Sequence, residues 1–295
     1  MSETACRFPT IAFIGFGEAA HALAANWTHD RGSPILAYDK VLGSGRPEDL
    51  VRERSAQAGA TLSTSPAEAL VEAEFVFSLV TADQALEAAK DCAAALRTGS
   101  FWLDGNSCAP QTKREAAAVI EAAGGHYVDL AIMAPVYPDR HKVPVLLAGP
   151  PAATAAAILS QLGMRPQITG RQVGDASTIK MLRSVMIKGL EALTSECLLA
   201  ARRAGVEDAV ISSLQSSDPG INWRDRATYN LERMLVHGSR RAAEMEEVCK
   251  TLEGLGLPDW MSLATTMWQR RLSELQIEPG ENSFAPRTDN VLAAL

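Results

Sequence analysis

Short apolar runs alternate with amphipathic, alanine-rich stretches through the first half of this 295-residue chain. A strand followed by a helix and then by another strand implies a parallel crossover, so the alternation predicts an α/β fold with a doubly wound, mostly parallel sheet. Helices are expected near residues 18–30, 66–72, 82–96 and 110–123. The expected strands are Thr10–Ile14, Ile35–Tyr38, Phe75–Leu79, Phe101–Leu103, His126–Asp129 and Val143–Ala148.

Two of these helix starts carry capping signals. Ser65 and Glu68 have the spacing of a capping box, with Pro66 at the first helical position. Thr81 and Gln84 repeat the same spacing. We therefore expect side-chain caps at both starts.

The pattern becomes purely helical from about residue 172. Residues 174–204 contain no proline and predict one long helix. Its apolar side chains fall on nearly every face, so we expect other elements to enclose it. The sequence thus predicts a domain of residues 1–171 and an all-helical domain of residues 172–295. The other features expected there are helices near 207–216, 222–236, 239–254 and 259–274, a helix end at His237 and Gly238, and a tail over 277–295.

Composition and charge exclude several classes of partner. The formal net charge is −7 without a basic run, which disfavours a nucleic-acid groove. No segment reaches the roughly 18 apolar residues that span a bilayer, and residues 1–10 lack the pattern of a secretory signal. The five cysteines are scattered and form no CxxC pair, so we expect neither a disulfide framework nor a metal site. A cytoplasmic protein that binds a small molecule is the expectation.

The segment IAFIGFGEAA, residues 11–20, places two glycines between an apolar strand and a helix. Gly15 permits a sharp turn, and Gly17 lets the backbone approach a pyrophosphate. Ala20 allows the helix to pack closely on the strand. The spacing alone does not separate a nucleotide site from an ordinary strand-to-helix corner.

Asp39 favours the nucleotide interpretation. It ends the second expected strand, 22 residues after Gly17, where a carboxylate would accept hydrogen bonds from ribose hydroxyls. The alternative is that Asp39 is only a turn residue or a helix cap. The carboxylate would repel the 2′-phosphate of NADP, so the pattern predicts NAD. Lys40 and Arg46 lie close enough in sequence to weaken that preference, and NADP is kept as the second cofactor.

Lys180 lies in the long predicted helix among apolar residues. Most lysines lie on solvated faces or extend their ammonium to the surface past an apolar stem. This lysine follows the end of the sheet domain, where the first turns of the helix should face a cofactor cleft. Ser177 and Ser184 lie at i−3 and i+4 and share its helical face. We therefore treat Lys180 as a candidate functional residue.

Four ordered segments resemble the motifs of the β-hydroxyacid dehydrogenases, which include 3-hydroxyisobutyrate and 6-phosphogluconate dehydrogenases. They are IAFIGFGEAA, DGNSCAP (104–110), VDLAIMAP (128–135) and GDASTIKMLRS (174–184). Residues 179–206 more narrowly resemble phosphogluconate-dehydrogenase-like proteins whose C-terminal domain has no firmly assigned substrate. The resemblance implies a Rossmann domain followed by an all-α domain. It also implies a homodimeric, NAD(P)-dependent oxidoreductase for a small hydroxyacid of the 3-hydroxyacid or sugar-acid type.

The resemblance implies roles for individual residues. Lys180 matches the family's catalytic lysine, which holds the substrate hydroxyl and accepts its proton. That role needs a pKa lowered toward neutrality, which burial in an apolar shell supplies. Asn106 and Ser107 would border the nicotinamide and the substrate, and Ser184 completes the catalytic set. The implied dinucleotide contacts are Gly15, Phe16, Gly17, Glu18, Ala19, Ala20, Asp39, Lys40, Val80, Thr81 and Asn106.

Three positions depart from the family pattern. Ser184 stands where the family has an asparagine, and Met133 replaces a serine that helps to hold the substrate carboxylate. Pro135 removes a backbone donor from the same segment. His141 and Lys142 could supply replacement contacts, although a solvated loop explains them more simply.

Two alternative functions stay open. One is imine or ketone reduction on the same scaffold, against which Lys180 counts because imine reductases of this fold usually lack the lysine. The other is a sensor or scaffold protein that binds the dinucleotide without chemistry, which the missing asparagine at position 184 makes possible.

Overall fold

The first part of the chain folds around one mixed sheet, in a computed structural model that describes residues 9–25, 27 and 34–295. Within those residues the sheet has eight strands. They are β1 (Ile11–Ile14), β2 (Ile35–Tyr38), β3 (Thr61–Leu62), β4 (Phe75–Ser78), β5 (Phe101–Asp104), β6 (His126–Ile132), β7 (Pro144–Ala148) and β8 (Arg165–Gly170). The spatial order is β3-β2-β1-β4-β5-β6-β7-β8, and every neighbouring pair is parallel except β6 and β7. The predicted fold class is confirmed.

Helices cover both faces of this sheet. They are α1 (Glu18–Ala24), α2 (Arg46–Ala58), α3 (Pro66–Leu70), α4 (Ala85–Ala93), α5 (Pro110–Ala122) and α6 (Ala152–Gln161). Successive strand residues point to opposite faces, so Phe13 joins a core with α1, α2 and α6, whereas Ala12 and Ile14 join a core with α3, α4 and α5. Because both faces are buried, β1 and β4 are apolar throughout or nearly so.

The sequence patterns do not predict four of these elements. β3 has only two residues, and β8 is a largely exposed strand at the sheet edge, so neither carries a strong apolar pattern. α2 is rich in charged residues. α6 is rich in alanine, and its apolar periodicity is correspondingly weak. The first helix ends at Ala24, and predicted helical residues 26 and 28–30 lie outside the described residues.

The two predicted caps have different outcomes. The Ser65 hydroxyl accepts a hydrogen bond from the Glu68 amide at 3.2 Å, so the first cap is confirmed. The Glu68 carboxylate reaches back to the Thr64 amide, one residue before the expected partner. The second prediction is wrong, because Thr81 precedes a short 3-10 turn without capping it and its hydroxyl bonds to Asp83.

The rest of the chain is helical. Its helices are α7 (Asp175–Arg203), α8 (Glu207–Ser217), α9 (Trp223–Gly254), α10 (Trp260–Glu274) and α11 (Phe284–Ala294). The chain divides into two compact units after Lys180, within α7. The domain boundary at residues 171 and 172, ahead of α7, stays a prediction. In the part of the chain that the structure describes, no helix is both long and apolar enough to cross a membrane.

The predicted helix end at His237 and Gly238 is wrong, because α9 runs without a break through both residues. Gly238 is buried, and a Cβ at this position would overlap the carbonyl oxygen of Gln269 in α10. The glycine therefore serves a close approach of two helices rather than a helix terminus.

The predicted tail is also wrong in part, since α11 occupies residues 284–294. Phe284 and Val291 are buried on its inner side. The Arg287 guanidinium donates to the Thr228 carbonyl at 2.6 Å and to the carbonyl oxygens of Pro279 and Glu281. The bond to Thr228 holds the segment on α9, and the other two fix the chain that precedes α11, although the sequence there has little periodicity.

Helix α7 is not enclosed on all sides by the described residues, contrary to expectation. Met181 and Leu198 are buried, whereas Met186 and Leu193 are 63% and 54% exposed. An apolar strip of α7 therefore faces outward from the single chain.

Two glycine substitutions test the helix packing. We expect Gly238→Ala to lower the free energy of unfolding by about 1–3 kcal/mol, because its methyl group meets the α10 backbone. Gly189→Ala in α7 is the matched control: the nearest atom to its Cβ, the Thr265 hydroxyl oxygen, is 3.9 Å away. It should gain about 0.5–1 kcal/mol from helix propensity. Urea unfolding of both variants measures this, and a Gly238→Ala protein as stable as the wild type would contradict the packing.

Candidate functional site

The glycine turn between β1 and α1 has the geometry of a phosphate cradle. Gly15 has a φ of +84°, and a Cβ there would lie 2.6 Å from the Leu79 carbonyl oxygen. At Gly17, by contrast, no described atom lies within 4 Å of the Cβ position. Gly17 is also the N-cap of α1, where no side-chain hydrogen bond caps the helix in the described structure. Open space beside helix amides fits an anionic pyrophosphate.

Asp39 braces this turn from the end of β2. Its Oδ2 accepts a hydrogen bond from the Phe16 amide at 2.8 Å, and its Oδ1 accepts one from the Val41 amide at 3.1 Å. A carboxylate offers about four acceptor positions, so each oxygen keeps capacity for a ribose hydroxyl. Asp39 therefore orders the glycine turn and remains suited to the ribose role.

Lys40 links the same edge of the sheet to the turn that follows β4. Its exposed ammonium donates a short hydrogen bond to the Gln84 side-chain oxygen. Lys40 follows Asp39 directly in the sequence, and the hydrogen bond restrains its ammonium. A cation at this position would attract a 2′-phosphate.

Asn106 joins the loops that follow β4 and β5. Its Oδ1 accepts from the Val80 amide at 2.7 Å, and its Nδ2 donates to the Ser78 hydroxyl at 3.0 Å. The side chain is buried, so these contacts use its hydrogen-bonding groups inside the protein. The neighbouring residues Val80 and Ser107 are partly exposed, and Thr81 is exposed.

The sheet order brings these loops to one edge. β1 has β2 on one side and β4 on the other, with all three parallel. The connections from β1 to β2 and from β3 to β4 therefore lead to opposite sides of β1. In open α/β sheets, ligands bind in the crevice outside the carboxyl ends of the strands at such a point. The glycine turn, Asp39 and Val80 lie at these strand ends, and Asn106 lies at the end of β5, the parallel neighbour of β4.

Lys180 lies one turn beyond a tightly held helix start. The Asp129 Oδ2 on β6 accepts from the amides of Gly174 and Ser177, at 3.1 and 3.0 Å. It also accepts from the Ser177 hydroxyl at 3.1 Å. A carboxylate at a helix N-terminus is favoured by the helix dipole as well as by these bonds. Lys180 itself is partly exposed.

Ser184 has an intramolecular partner in the helical unit. The Lys188 ammonium donates to its hydroxyl at 3.2 Å and pairs with the Glu244 carboxylate at 2.8 Å. All three side chains are buried. The proposed substrate contact of Ser184 is not tested by these bonds and stays a prediction.

A buried charge cluster connects the strand ends to α7. The Lys113 ammonium on α5 is fully buried and lies 2.9 Å from Asp104 Oδ1 and 3.5 Å from Asp129 Oδ1. The Tyr127 hydroxyl donates to Asp104 Oδ2 at 2.6 Å. Burial alone lowers the pKa of Lys113, but the carboxylates of Asp104 and Asp129 outweigh this effect and raise that pKa. Burial, and then the charge of Asp104, raise the pKa of Tyr127.

The motifs and their spacing do not predict this cluster, although the sequence carries a signal for it. Lys113 has the helical spacing of Ala116, Ala117 and Ile120, all of which are buried on α5. A lysine on the apolar face of a helix is rarely buried without a partner. Asp104 ends a buried strand, so the sequence offers a carboxylate that can neutralise Lys113.

The segment after β6 makes several contacts within the first unit. Met133 donates its amide to the Pro144 carbonyl at 2.9 Å. His141 lies against the Trp27 ring, with ring centroids 6.4 Å apart, and Lys142 is exposed in the same 3-10 turn. Tyr137 bonds to His21 at 2.8 Å, and burial with nearby Arg54 and Arg140 lowers the pKa of that histidine.

Comparison with known proteins gives two family matches and several relatives. Residues 10–165 match the NAD binding domain of 6-phosphogluconate dehydrogenase, and residues 201–272 match a domain of unknown function. The structure of a conserved hypothetical protein from Sinorhizobium meliloti 1021 is 36% identical, with a TM-score of 0.73 and coverage of 98% of each chain.

Two dehydrogenases are more distant. The 3-hydroxyisobutyrate dehydrogenase of Pseudomonas aeruginosa is 27% identical over 72% of this chain and 71% of its own. The structure of Mycobacterium tuberculosis 3-hydroxyisobutyrate dehydrogenase with L-serine is similar in fold. Its TM-score is 0.71 at 14% identity, over 97% of this chain and 99% of that one.

Gly17→Ala tests the phosphate cradle without disturbing the fold. Because the Cβ position is open, the free energy of unfolding should stay within about 0.5 kcal/mol of wild type. The methyl group would occupy the space of the pyrophosphate and raise the Kd for NAD and NADP at least about tenfold. Titration of dinucleotide fluorescence and urea unfolding measure the two effects. Unchanged affinity would contradict the assignment, while Gly15→Ala, as the contrast, should also destabilise the fold.

Proposed function

We propose that this chain, which belongs to the β-hydroxyacid dehydrogenase superfamily, is an NAD(P)-dependent dehydrogenase of small hydroxyacids. The preferred cofactor is NAD and the substrate is of the 3-hydroxyacid or sugar-acid type. The observation that carries the proposal is the open Gly17 turn braced by Asp39, because it supplies both a pyrophosphate cradle and a ribose acceptor.

The dinucleotide would lie along the carboxyl edge of the sheet. The glycine turn holds the pyrophosphate and Asp39 the ribose hydroxyls. Val80, Thr81 and Asn106 lie farther along the same edge, where the nicotinamide ribose would be. The hydrogen bond from the Val80 amide to Asn106 Oδ1 supports this part of the proposal, since it ties the two loops together.

The bound dinucleotide would supply the hydride acceptor or donor. Lys180 holds the substrate hydroxyl, takes its proton during oxidation and returns one during reduction. Asn106 and Ser107 border the reacting groups, and Ser184 is the remaining member of the catalytic set. Lys180 lies one turn after a helix start that a carboxylate caps. This supports the role, because the cap fixes the backbone from which the lysine side chain extends.

The substrate class is supported more weakly than the cofactor. Met133 and Pro135 replace polar groups that hold a carboxylate in related enzymes, so this chain must hold its substrate differently. Met133 uses its amide within the protein, and His141 contacts Trp27. We therefore propose the hydroxyacid class without naming a member.

Two alternatives differ in what they require. An imine or ketone reductase would not need Lys180, whereas a dinucleotide sensor would bind NAD and turn over nothing. The engagement of Ser184 by Lys188 is the observation that favours the sensor, because it reduces what Ser184 can offer a substrate.

We also propose that the protein is a homodimer that works in the cytoplasm. The exposed apolar residues Met186 and Leu193 on α7 support association, since such side chains are favourably buried against another apolar surface. Cys92, Cys197 and Cys249 are thiols rather than disulfides, which fits a reducing compartment.

Lys180→Ala tests the catalytic role. Loss of a general acid/base lowers turnover by about 10²- to 10⁴-fold, with the Kd for NAD close to wild type. The assay is a panel of hydroxyacids, beginning with 3-hydroxyisobutyrate, followed by absorbance of the reduced dinucleotide. Lys90→Ala is the control, because that lysine is half exposed on α4, where it pairs with Glu87.

The two outcomes that oppose this mechanism are distinct. Full activity in the Lys180→Ala protein would show that the lysine is not the acid/base. Quenching of dinucleotide fluorescence by the wild type, with no turnover of any hydroxyacid in the panel, would favour the sensor.

Asp39→Ser tests the cofactor preference. Removal of the carboxylate removes repulsion of the 2′-phosphate and a ribose acceptor, so the ratio of the NADP Kd to the NAD Kd should fall about tenfold or more. Lys40→Ala should move the same ratio in the opposite direction. The ratio is the measured quantity because Asp39 also braces the glycine turn, and a ratio unchanged in both variants would exclude this edge as the site of discrimination.

A further inference from the structure

Lys113 occupies an unusual position for a lysine, with 0% of its side chain exposed. Its ammonium donates to Asp104 Oδ1 at 2.9 Å and to the carbonyl oxygen of the same residue. It lies 3.5 Å from Asp129 Oδ1, an oxygen without a hydrogen-bond partner among the described residues. At that distance the ammonium supplies charge to Asp129 rather than a hydrogen bond. Two buried carboxylates thus share one cation.

The first carboxylate leads to the loops of the dinucleotide site. Asp104 Oδ1 accepts from the Asn106 amide at 3.0 Å, and Asn106 accepts from the Val80 amide at 2.7 Å. The Tyr127 hydroxyl occupies the other oxygen of Asp104. The orientation of Asn106 therefore depends on where Asp104 is held.

The second carboxylate leads to the helix that carries Lys180. Asp129 Oδ2 accepts from the Gly174 amide, the Ser177 amide and the Ser177 hydroxyl. These hydrogen bonds fix Asp129 on the first turn of α7. A carboxylate buried this deeply is costly to keep in the protein interior unless a cation lies near it.

We propose that Lys113 is a positioning residue that holds the Asn106 loop and the first turn of α7 in register, by neutralising Asp104 and Asp129 together. The functional part rests on the proposed function, since it is the dinucleotide and Lys180 that require the two segments to be aligned. Lys113 does not touch either ligand; it acts through the two carboxylates.

The reason one cation serves both segments is electrostatic. Two carboxylates buried near each other repel, and each is costly to bury without a partner. An ammonium between them offsets both costs, so both segments depend on the same cation. Loss of the ammonium therefore disturbs both segments, whereas loss of one carboxylate disturbs only the segment attached to it.

The test compares Asp104→Ala, Asp129→Ala and Lys113→Met. Lys90→Met serves as the control, because that lysine is half exposed on the protein surface. The first readout is hydrogen exchange of the backbone amides of Val80, Asn106, Gly174 and Ser177. The second is the Kd for NAD measured by fluorescence, and thermal unfolding reports the general loss of stability in each variant.

The four variants should divide the amides into two groups. Asp104→Ala should speed exchange at Val80 and Asn106 and raise the Kd for NAD about tenfold. Asp129→Ala should speed exchange at Gly174 and Ser177 and leave that Kd within about twofold of wild type. Lys113→Met should do both, and Lys90→Met neither. If Lys113 only stabilised the fold, Lys113→Met would lower the unfolding temperature without reproducing the combined effects of the two carboxylate variants. A Lys113→Met protein in which exchange is faster at only one pair of amides, or at neither pair, overturns the proposal.

A double variant covers the case in which Lys113→Met does not fold. With one carboxylate removed, the ammonium keeps the other as its partner. With both removed, it is buried without a countercharge. Asp104→Ala/Asp129→Ala should therefore be destabilised by more than the sum of the single variants, and additivity would overturn the proposal. If wild-type protein fails to bind NAD, the exchange pattern still decides the role of Lys113, while the proposed function falls.

Discussion

The Lys113 ammonium is buried between Asp104 and Asp129 and supplies the positive charge that both carboxylates need at the carboxyl edge of the sheet. β5 and β6 are neighbours in parallel register that pairs Asp104 directly with Asp129. Two carboxylates at opposed positions in a dry interior repel unless a cation lies close to both. α5 brings Lys113 to that point on its buried face. The sheet can therefore carry two acidic residues side by side without losing its core.

The strand ends turn this local solution into a larger framework. Asp104 supports Asn106, and Asn106 supports Val80 beside the glycine turn. Asp39 braces the turn from the other side. Backbone amides and an open glycine are what an anionic, dinucleotide-sized ligand needs, and here they are held by buried and partly buried hydrogen bonds. A site built on buried strand ends keeps its geometry at low entropic cost when a ligand binds.

The central part of this arrangement is predictable from the sequence. The apolar runs at β1, β4 and β6 and the Gly15–Asp39 pair carry strong local signals, because burial on both faces and tight turns restrict the residue types. Edge strand β8, the charged α2 and the helix α11 carry weak ones, since contacts distant in sequence stabilise them. Arg287, for example, holds α11 through carbonyl oxygens that no periodicity reveals. The prediction of a helix end at Gly238 is wrong for the same reason, because the role of this glycine is set by α10.

The proposed mechanism requires the amine of Lys180 and a nicotinamide held at Val80 and Asn106 to address the same small substrate. A crystal structure of the protein with NAD decides whether they do. We expect the pyrophosphate at Gly17, the nicotinamide against Val80 and Asn106, and the Lys180 amine facing the ring across a space for one small molecule. A nicotinamide bound elsewhere, or a Lys180 amine directed into bulk solvent away from the ring, would refute the mechanism.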